Sequence, residues 1–178
     1  HGPVMAKRNG QWISVRSNNR SLNAIIQSWK RTKAKGFEEY KQIMELRSNT
    51  SNNTVFADSK GNIAYWHGNF IPKRDAALNW SKPVDGSTSA TEWQGLHSLD
   101  EMIHVYNPTD GWLQNCNSTP FTVAGTKSPL REKYPRYMAT DGENFRGINA
   151  VKIFNTAEKY NIDDVIKNAY NSHLAAFD

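Results

Sequence analysis

The sequence predicts an α+β fold with antiparallel hairpins and with helices towards both ends of the chain. Two segments rich in β-branched and aromatic residues are each interrupted by a turn sequence, and apolar residues recur at helical spacing in residues 22–44 and 148–173. A chain of 178 residues can bury one core of useful size, since domains average roughly 150 residues. We therefore predict a single domain over residues 1–178, in which helices and sheet pack in layers.

Two antiparallel hairpins are predicted from strand-like segments that flank turn residues. In the first hairpin, Asn9 and Gly10 can take the positive φ angles that tight turns require. In the second, the turn sequence DSKG ends in Gly61, which suits a left-handed position. The four predicted strands are Val4–Ala6, Gln11–Val15, Thr54–Ala57 and Asn62–Trp66.

Apolar residues that recur at helical spacing predict four helices. Ser21 is the candidate N-cap of the first helix, and Gly36 marks its end. Asn161 is the candidate N-cap of the last helix. Asp163 and Asp164 lie in its first turn, where negative charge stabilises a helix. The four apolar stripes are Leu22, Ile25, Ile26 and Trp29; Phe37, Tyr40, Ile43 and Met44; Ile148, Val151, Phe154 and Ala157; and Ile162, Val165, Ile166, Ala169 and His173.

The remaining segments are predicted to be mostly irregular. Residues 72–92 lack periodicity and form a long loop, a length that in compact domains is typical of functional loops. Residues 99–105 fit a short helix or a turn, and residues 107–111 carry strong turn chemistry. A second irregular segment runs from about residue 121 to residue 142.

Composition limits the classes of partner. The net charge is +5 and the pI is near 9.3, but lysine and arginine are scattered, and the densest group, Lys30–Lys35, lies on a predicted helix face. A solvated helix face explains that group, so no nucleic-acid partner is predicted. The sequence has no run of about 18 apolar residues, so no membrane partner is predicted either.

Metal and nucleotide chemistry have no local support in the sequence. The five histidines show neither HxxxH nor HxH spacing, and the single cysteine, Cys116, excludes an internal disulfide and a cysteine-rich metal site. There is no Walker A loop, GxGxxG motif or GxSxG elbow. The residues therefore predict no bound metal and no cofactor.

The segment GWLQNCNSTP, residues 111–120, can be interpreted in two ways. An Asx or Ser/Thr turn ended by Pro120 explains its composition. Alternatively, Asn115 and Asn117 are spaced to face the same side of an extended strand, where their carboxamides could take part in chemistry. Local chemistry alone favours the turn.

Four stretches of the sequence occur together in one order. They are HGPVM from His1, NTVFADSKGNIAYWHGNFIPKR from Asn53, EWQGLHSLDEMIHVYNPTDGWLQNCNSTP from Glu92 and ENFRG from Glu143. In that order they resemble the later part of the catalytic β subunit of penicillin acylases. The resemblance spans nearly the whole chain, and its most specific parts are residues 57–72 and 107–120.

The resemblance implies a segment of an N-terminal-nucleophile hydrolase with an αββα sandwich. In such enzymes autoproteolysis exposes a serine whose hydroxyl attacks an amide and whose own α-amine serves as the base. The HGPV motif lies well inside the family's β chain, so the nucleophile is expected in polypeptide absent from this sequence. The expected partners are the remaining β-chain segment, the α chain and an acylated small molecule with a linear amide, such as a penicillin, an acyl-homoserine lactone or an acyl-peptide.

Two catalytic residues follow from the resemblance. Asn117 corresponds to the family's oxyanion-hole asparagine, whose NH2 group donates to the oxygen of the tetrahedral intermediate. Arg146 in ENFRG corresponds to the arginine that holds this asparagine, and it is expected just before a helix that begins near Gly147. The alternative for Arg146 is a surface ion pair with Glu143. Substrate-binding residues are not identified.

The resemblance carries three further expectations. The parent enzyme could hold a calcium ion, for which Asp141 is the candidate ligand in this chain. A periplasmic or secreted location is implied. The competing hypothesis is a non-catalytic binding module that offers its aromatic side chains, Trp66, Trp80, Trp93 and Trp112, to a ligand.

Overall fold

A computed structural model describes residues 2–18, 21–49, 52–156 and 159–177. Its strands are β1 (Val4–Arg8), β2 (Gln11–Ser14), β3 (Thr54–Ala57), β4 (Ile63–Trp66) and β5 (His104–Tyr106). Its α-helices are α1 (Leu22–Arg31), α2 (Phe37–Met44), α3 (Phe145–Phe154) and α4 (Ile162–Ala169). The combination of helices and small antiparallel sheets confirms the predicted α+β class.

The chain divides into two compact units. The first unit consists of His1–Asn52, Gly68–Met102 and Pro135–Met138. The second unit consists of Asn53–His67, Ile103–Tyr134 and Ala139–Asp178. Each unit is assembled from segments that alternate along the sequence, and the single domain over residues 1–178 stays a prediction.

The first unit begins with the predicted hairpin. β1 pairs with β2 in antiparallel register, with Arg8 opposite Gln11. The φ angles of Asn9 and Gly10 are 48° and 78°. Two consecutive left-handed residues give a turn whose twist matches that of the strands, which explains why the sequence forms a hairpin here.

A three-stranded antiparallel sheet in the order β3-β4-β5 organises the second unit. β3 and β4 form the second predicted hairpin, with Gly61 at φ 87° in the turn. A helix or turn was predicted over residues 99–105. This prediction was wrong for the last residues of the range, because His104–Tyr106 forms β5 and pairs with β4. The β-branched Val105 packs in the core beside Tyr65, which explains the preference for a strand.

The apolar core of the second unit supports the chain within the GWLQNCNSTP segment and shortly after its end. Tyr65 of β4 is buried together with Val105, Val123 and Ala124, and Leu113 packs against this cluster. Leu113 lies within the segment, and Val123 follows its end. The core therefore holds the chain at one point inside the segment and at one point beyond its end.

Helix α1 of the first unit buries a different face from the one that its apolar stripe suggests. Leu22, Ile25 and Trp29 are 70%, 68% and 67% exposed, whereas the side chain of Gln27 is fully buried. The helix ends at Arg31 and not at Gly36, which lies immediately before α2. Three of the four stripe residues are therefore largely uncovered among the described residues, and Ile26 is partly buried.

A buried amide network explains the position of Gln27. Its Nε2 donates to Oδ1 of Asn69 at 2.7 Å, and its Oε1 accepts from the N–H of Ser48 at 2.9 Å. Asn69 in turn donates from Nδ2 to the carbonyl of Met44 at 2.9 Å. Because buried polar groups are stable only with partners, these contacts tie α1 to the end of α2.

The helices near the C-terminus largely follow the prediction. Asn161 caps α4 through a capping box with Asp164. α4 ends at Ala169, so His173 lies beyond the helix and is exposed, in contrast to its expected place on the apolar stripe. Ala157, at the predicted end of the preceding helix, lies outside the described residues.

The predicted irregular segments are confirmed. Residues 72–92 contain one short 3-10 turn, Ser89–Thr91, and residues 121–142 contain a few more turns of this type. Among the described residues, no helix is both long and apolar enough to cross a membrane.

We expect Asn69→Ala to lower the free energy of unfolding by about 1–3 kcal/mol, because the Nε2 group of Gln27 would lose its buried acceptor. Urea unfolding followed by circular dichroism measures this change. Asn23→Ala, at an exposed position of α1, is the control and should change stability by less than about 0.5 kcal/mol. Equal unfolding midpoints for the two variants would contradict the role assigned to the network.

Candidate functional site

The GWLQNCNSTP segment folds around the buried side chain of Gln114. The main-chain N–H of Gln114 donates to the carbonyl of Val123 at 2.9 Å. Its side-chain Oε1 accepts from the N–H of Cys116 at 3.0 Å, and its Nε2 donates to Oγ of Ser118 at 3.3 Å. These contacts bend the chain after Gln114, so residues 115–118 form a loop.

Asn117 and Asn115 do not face the same side of an extended strand, so that expectation was wrong. Asn117 has a left-handed backbone with φ 55°, a conformation that asparagine tolerates better than most residues. This angle breaks the alternation of side chains along the loop. Asn115 instead accepts a hydrogen bond at Oδ1 from Nδ2 of Asn53 at 3.1 Å.

Turn chemistry is present directly after Asn117, as the residues alone predicted. The hydroxyl of Thr119 accepts from the N–H of Phe121 at 3.5 Å, and Pro120 begins a 3-10 turn. The carbonyl of Gly142 also accepts from the N–H of Thr119 at 3.0 Å. The turn therefore fixes one end of the loop, and Asn117 itself is exposed.

Arg146 contacts Asn117 from the first turn of α3. Its Nη2 donates to Oδ1 of Asn117 at 3.2 Å. Because a guanidinium has donors only, this contact determines which end of the carboxamide faces Arg146. Within the part of the chain that the structure describes, the Nδ2 group of Asn117 has no hydrogen-bond acceptor. The structure thus brings the two predicted residues together, while their catalytic roles stay predictions.

The helical position of Arg146 differs from the expectation. α3 begins at Phe145, so Arg146 lies inside the first turn and not before the helix. A cation in the first turn faces the positive end of the helix dipole, which is unfavourable. The alternative partner, Glu143, accepts from the hydroxyl of Thr122 at 2.9 Å, and the described residues contain no ion pair between Glu143 and Arg146.

Asn144 connects the loop to α3. Its Oδ1 accepts from the N–H of Gly147 at 2.9 Å, which makes it the N-cap of the helix. Its Nδ2 donates to the carbonyls of Cys116 and Asn117 at 3.0 and 3.1 Å. Asn144 was not among the predicted site residues, although an asparagine directly before a helical stripe is an ordinary N-cap signal.

Gly147 allows α3 to lie against the loop. A Cβ atom at this position would lie 2.6 Å from Oγ and 2.9 Å from Cβ of Ser118. Real Cβ atoms do not approach other atoms so closely, so a larger residue would push the helix away from the loop. The sequence gives no sign of this requirement, because it depends on the approach of Ser118 from 29 residues earlier in the chain.

Asp141, the candidate calcium ligand, lies beside a buried histidine. Its Oδ2 is 3.5 Å from Nε2 of His67, whose Nδ1 is 3.0 Å from the hydroxyl of Tyr65. Burial lowers the pKa of His67, and the Asp141 carboxylate opposes that shift. Burial raises the pKa of Tyr65, and the Asp141 charge adds to this effect. Both groups are therefore held in their neutral forms near neutral pH.

Calcium ligation by Asp141 stays a prediction. Calcium takes about six to eight oxygen ligands. No group of three or more His, Cys, Asp or Glu residues that could hold a metal occurs within the described ranges. We assign no step to calcium, and Asp141 stays a candidate only.

The tryptophans of the binding-module hypothesis have different environments. Trp66 of the second unit is fully buried, so it offers no face to a ligand. Trp112, also in the second unit, is partly buried. In the first unit, Trp80 and Trp93 lie with their ring centroids 5.2 and 5.8 Å from the guanidinium carbon of Arg74. A cation therefore already occupies space beside these two rings.

We expect Asp141→Asn to lower the pKa of His67 further, because the variant removes the charge that opposes the effect of burial. NMR titration of the imidazole measures this shift.

In the parent chain the unfolded state takes up the His67 proton first, so the free energy of unfolding should fall as the pH drops from about 6.5 towards the lower folded pKa. His67→Gln should weaken this pH dependence. If Asp141→Asn left the NMR titration midpoint of His67 unchanged, the electrostatic contact between the two residues would be contradicted.

Comparisons with known proteins agree with one another. The penicillin amidase family model matches residues 1–177. Penicillin G acylase of Escherichia coli is 35% identical over 88 residues, which cover 49% of this chain and 10% of that protein. The solved structure of thermostable penicillin G acylase from Alcaligenes faecalis, in orthorhombic form, is similar with a TM-score of 0.65 and 23% identity over 83% of this chain and 25% of that chain.

These comparisons support the family and the fold to different degrees. The chain spans about a tenth of the Escherichia coli protein and about a quarter of the Alcaligenes faecalis chain. At 23% identity the likeness to the solved structure shows the fold alone. The family model, in contrast, extends over residues 1–177 of the 178. The chain therefore belongs to the penicillin amidase family.

Proposed function

We propose that this chain is a segment of an amidohydrolase that cleaves the linear amide of an acylated substrate, and that it supplies the oxyanion-hole donor Asn117. The observation that carries the proposal is the 3.2 Å hydrogen bond from Nη2 of Arg146 to Oδ1 of Asn117. This contact takes up the acceptor end of the carboxamide. Family membership supports the reaction class.

The chemistry of the carboxamide suits the stabilisation of a developing oxyanion. The NH2 group of Asn117 is exposed and has no acceptor among the described residues, so its donors are available to a substrate oxygen. A carboxamide stays neutral across the ordinary pH range and donates without a change of protonation. A donor that is already oriented stabilises the charge as it forms and costs little reorganisation.

Arg146 contributes orientation and charge. Its hydrogen bond opposes a rotation of the Asn117 carboxamide that would present the oxygen to the substrate. Its positive charge polarises that carboxamide and so strengthens the N–H donors. The placement of a cation in the first turn of α3 costs some helix stability. The contact with Asn117 offsets that cost, since residues at functional sites often depart from local structural preferences.

The nucleophile is proposed to lie in polypeptide outside this sequence, which also provides the proposed partners of this chain. The family resemblance supports an N-terminal serine whose α-amine accepts the proton of its hydroxyl. The exposed apolar stripe of α1, formed by Leu22, Ile25 and Trp29, supports an additional partner surface in the first unit. The proposed partners are the remaining β-chain segment and the α chain, and the proposed location is periplasmic or secreted.

The substrate class is an acylated small molecule such as a penicillin, an acyl-homoserine lactone or an acyl-peptide. The alternative of a non-catalytic binding module has less support, because Trp66 is buried and Trp80 and Trp93 pack beside Arg74. A screen of the complete acylase against these three amide classes distinguishes an enzyme from a module. Ligand binding without release of an amine would favour the module.

We expect Asn117→Ala in the complete acylase to lower kcat by about 100-fold to 1000-fold, which corresponds to a loss of roughly 2.7–4 kcal/mol of transition-state stabilisation. KM should change little, because the donor acts on charge that develops after substrate binding. Steady-state hydrolysis of the acylated amide measures both constants.

Asn115→Ala is the matched control for Asn117→Ala. It removes the same side chain two residues earlier, where the carboxamide contacts Asn53 and not Arg146. Its kcat should stay close to that of the parent enzyme. Full activity in Asn117→Ala would exclude the assigned role, and turnover by the isolated 178-residue chain would show that the nucleophile lies within it.

We expect Arg146→Met to lower kcat less than Asn117→Ala does, because Arg146 acts through the orientation and polarisation of Asn117. The double variant should then be no slower than Asn117→Ala alone, since its donor is already absent. Kinetic measurements on the two single variants and the double variant test this. Losses of activation free energy that simply add would show that Arg146 acts independently of Asn117.

A further inference from the structure

The side-chain amide of Asn144 contacts both carbonyls that flank the Asn117 residue. Nδ2 lies 3.0 Å from the carbonyl oxygen of Cys116 and 3.1 Å from that of Asn117. The first carbonyl belongs to the peptide plane before Asn117, and the second belongs to the plane after it. Two planar peptides that are both held leave φ and ψ of Asn117 little freedom.

The backbone angles of Asn117 control where its side chain points. Its φ of 55° lies in the left-handed region, which costs an L-residue conformational energy. A return to an ordinary extended conformation would redirect the Cα–Cβ bond and move the carboxamide away from Arg146. The two hydrogen bonds from Asn144 oppose that return.

The other end of the same amide determines the position of Arg146. Oδ1 of Asn144 accepts from the N–H of Gly147 at 2.9 Å and so fixes the start of α3. Arg146 is the residue immediately before Gly147. The close approach of Gly147 to Ser118 brings this turn of the helix against the loop. The side chain of Asn144 therefore connects the backbone of Asn117 to the helix turn that carries Arg146.

We propose that Asn144 is a positioning residue for the reaction, because it clamps the left-handed backbone of Asn117 and the first turn of α3 with the two ends of one carboxamide. The proposal rests on the proposed function of Asn117. Asn144 itself has no assigned contact with substrate. It acts by holding Asn117 and Arg146 in the relative orientation that leaves the Nδ2 group of Asn117 free to donate.

A simple helix cap would not need the donors of Asn144. Capping uses the side-chain oxygen only. The N-cap of α4 illustrates this, because Asn161 accepts from the N–H of Asp164 at 2.9 Å and its side chain makes no hydrogen bond to a preceding loop carbonyl among the described contacts. The donor end of Asn144 is therefore the part of the side chain that a capping role leaves unexplained.

The experiment removes the NH2 group of residue 144 and retains a side-chain oxygen that can cap α3. Asn144→Asp preserves the shape and the oxygen that accepts from Gly147, but it places a carboxylate against the two carbonyls. Asn144→Ser is the second variant, since serine caps helices about as well as asparagine and lacks an NH2 group. Asn161→Asp is the matched control at the other capped helix.

The first measurement uses ¹⁵N–¹H NMR of the 178-residue chain. In Asn144→Asp and Asn144→Ser, the side-chain NH2 resonances of Asn117 should shift or broaden, while the amide signal of Gly147 keeps its capped position. In Asn161→Asp the Asn117 signals should stay unchanged. Unchanged Asn117 resonances in both Asn144 variants would overturn the proposal, because they would show that the donor residue holds its position without the clamp.

The second measurement uses the complete acylase and separates this proposal from the proposed function. Asn144→Asp should lower kcat by about 10-fold to 100-fold with little change in KM, since misplacement of a catalytic group by about 1 Å has effects of this size. A double variant with Asn117→Ala should be no slower than Asn117→Ala alone. Additive losses would overturn the positioning role. Parental activity together with shifted Asn117 resonances would support the clamp and count against the proposed role of Asn117.

Discussion

The fixed orientation of one carboxamide is the constraint on which the site depends. Asn117 can present either an oxygen or an NH2 group, and only the NH2 group can stabilise an oxyanion. The guanidinium of Arg146 decides between the two ends, because it donates to Oδ1 at 3.2 Å. The contacts of Asn144 and the close approach of Gly147 bring the loop and the helix turn of these two side chains together.

Three layers of structure hold that arrangement, and they differ in chemistry. The apolar cluster around Tyr65 supports the segment through Leu113. The buried amide of Gln114 bends the loop, and the amide of Asn144 joins the loop to α3. Buried, fully partnered polar groups restrict direction more than apolar contacts do, because hydrogen bonds have a preferred geometry. The turn and the catalytic interpretations of the segment are therefore compatible, since the turn creates the platform on which Asn117 is displayed.

The sequence predicted those features that depend on neighbouring residues. Asn9 and Gly10 specify a hairpin, and Asn161 specifies a helix start, whatever surrounds them. The burial of Gln27 was not predictable from the helical stripe, because its partner Asn69 lies 42 residues away. Strand β5 was missed for the same reason, since its pairing with β4 joins distant segments.

The candidate site shows the same division between local and distant information. Family resemblance placed Asn117 and Arg146 together, and the structure brings them into contact. The clamp by Asn144 and the close approach of Gly147 were missed, because both depend on where α3 meets a loop that lies 27 to 29 residues earlier. A sequence motif identifies chemically suitable side chains, whereas the groups that aim them are known only after the chain has folded.

The contact between Asn117 and Arg146 also has a consequence for chemical ageing. Asparagine is among the thermolabile residues, and the side chain of Asn117 is exposed. Deamidation would replace its NH2 group by a carboxylate oxygen, and the neighbouring guanidinium binds an anion more strongly than a neutral amide. The same arginine would retain the aspartate in place, and the proposed donor would have become an anion that repels negative charge. A change of one mass unit would thus reverse the electrostatics at the end of this side chain.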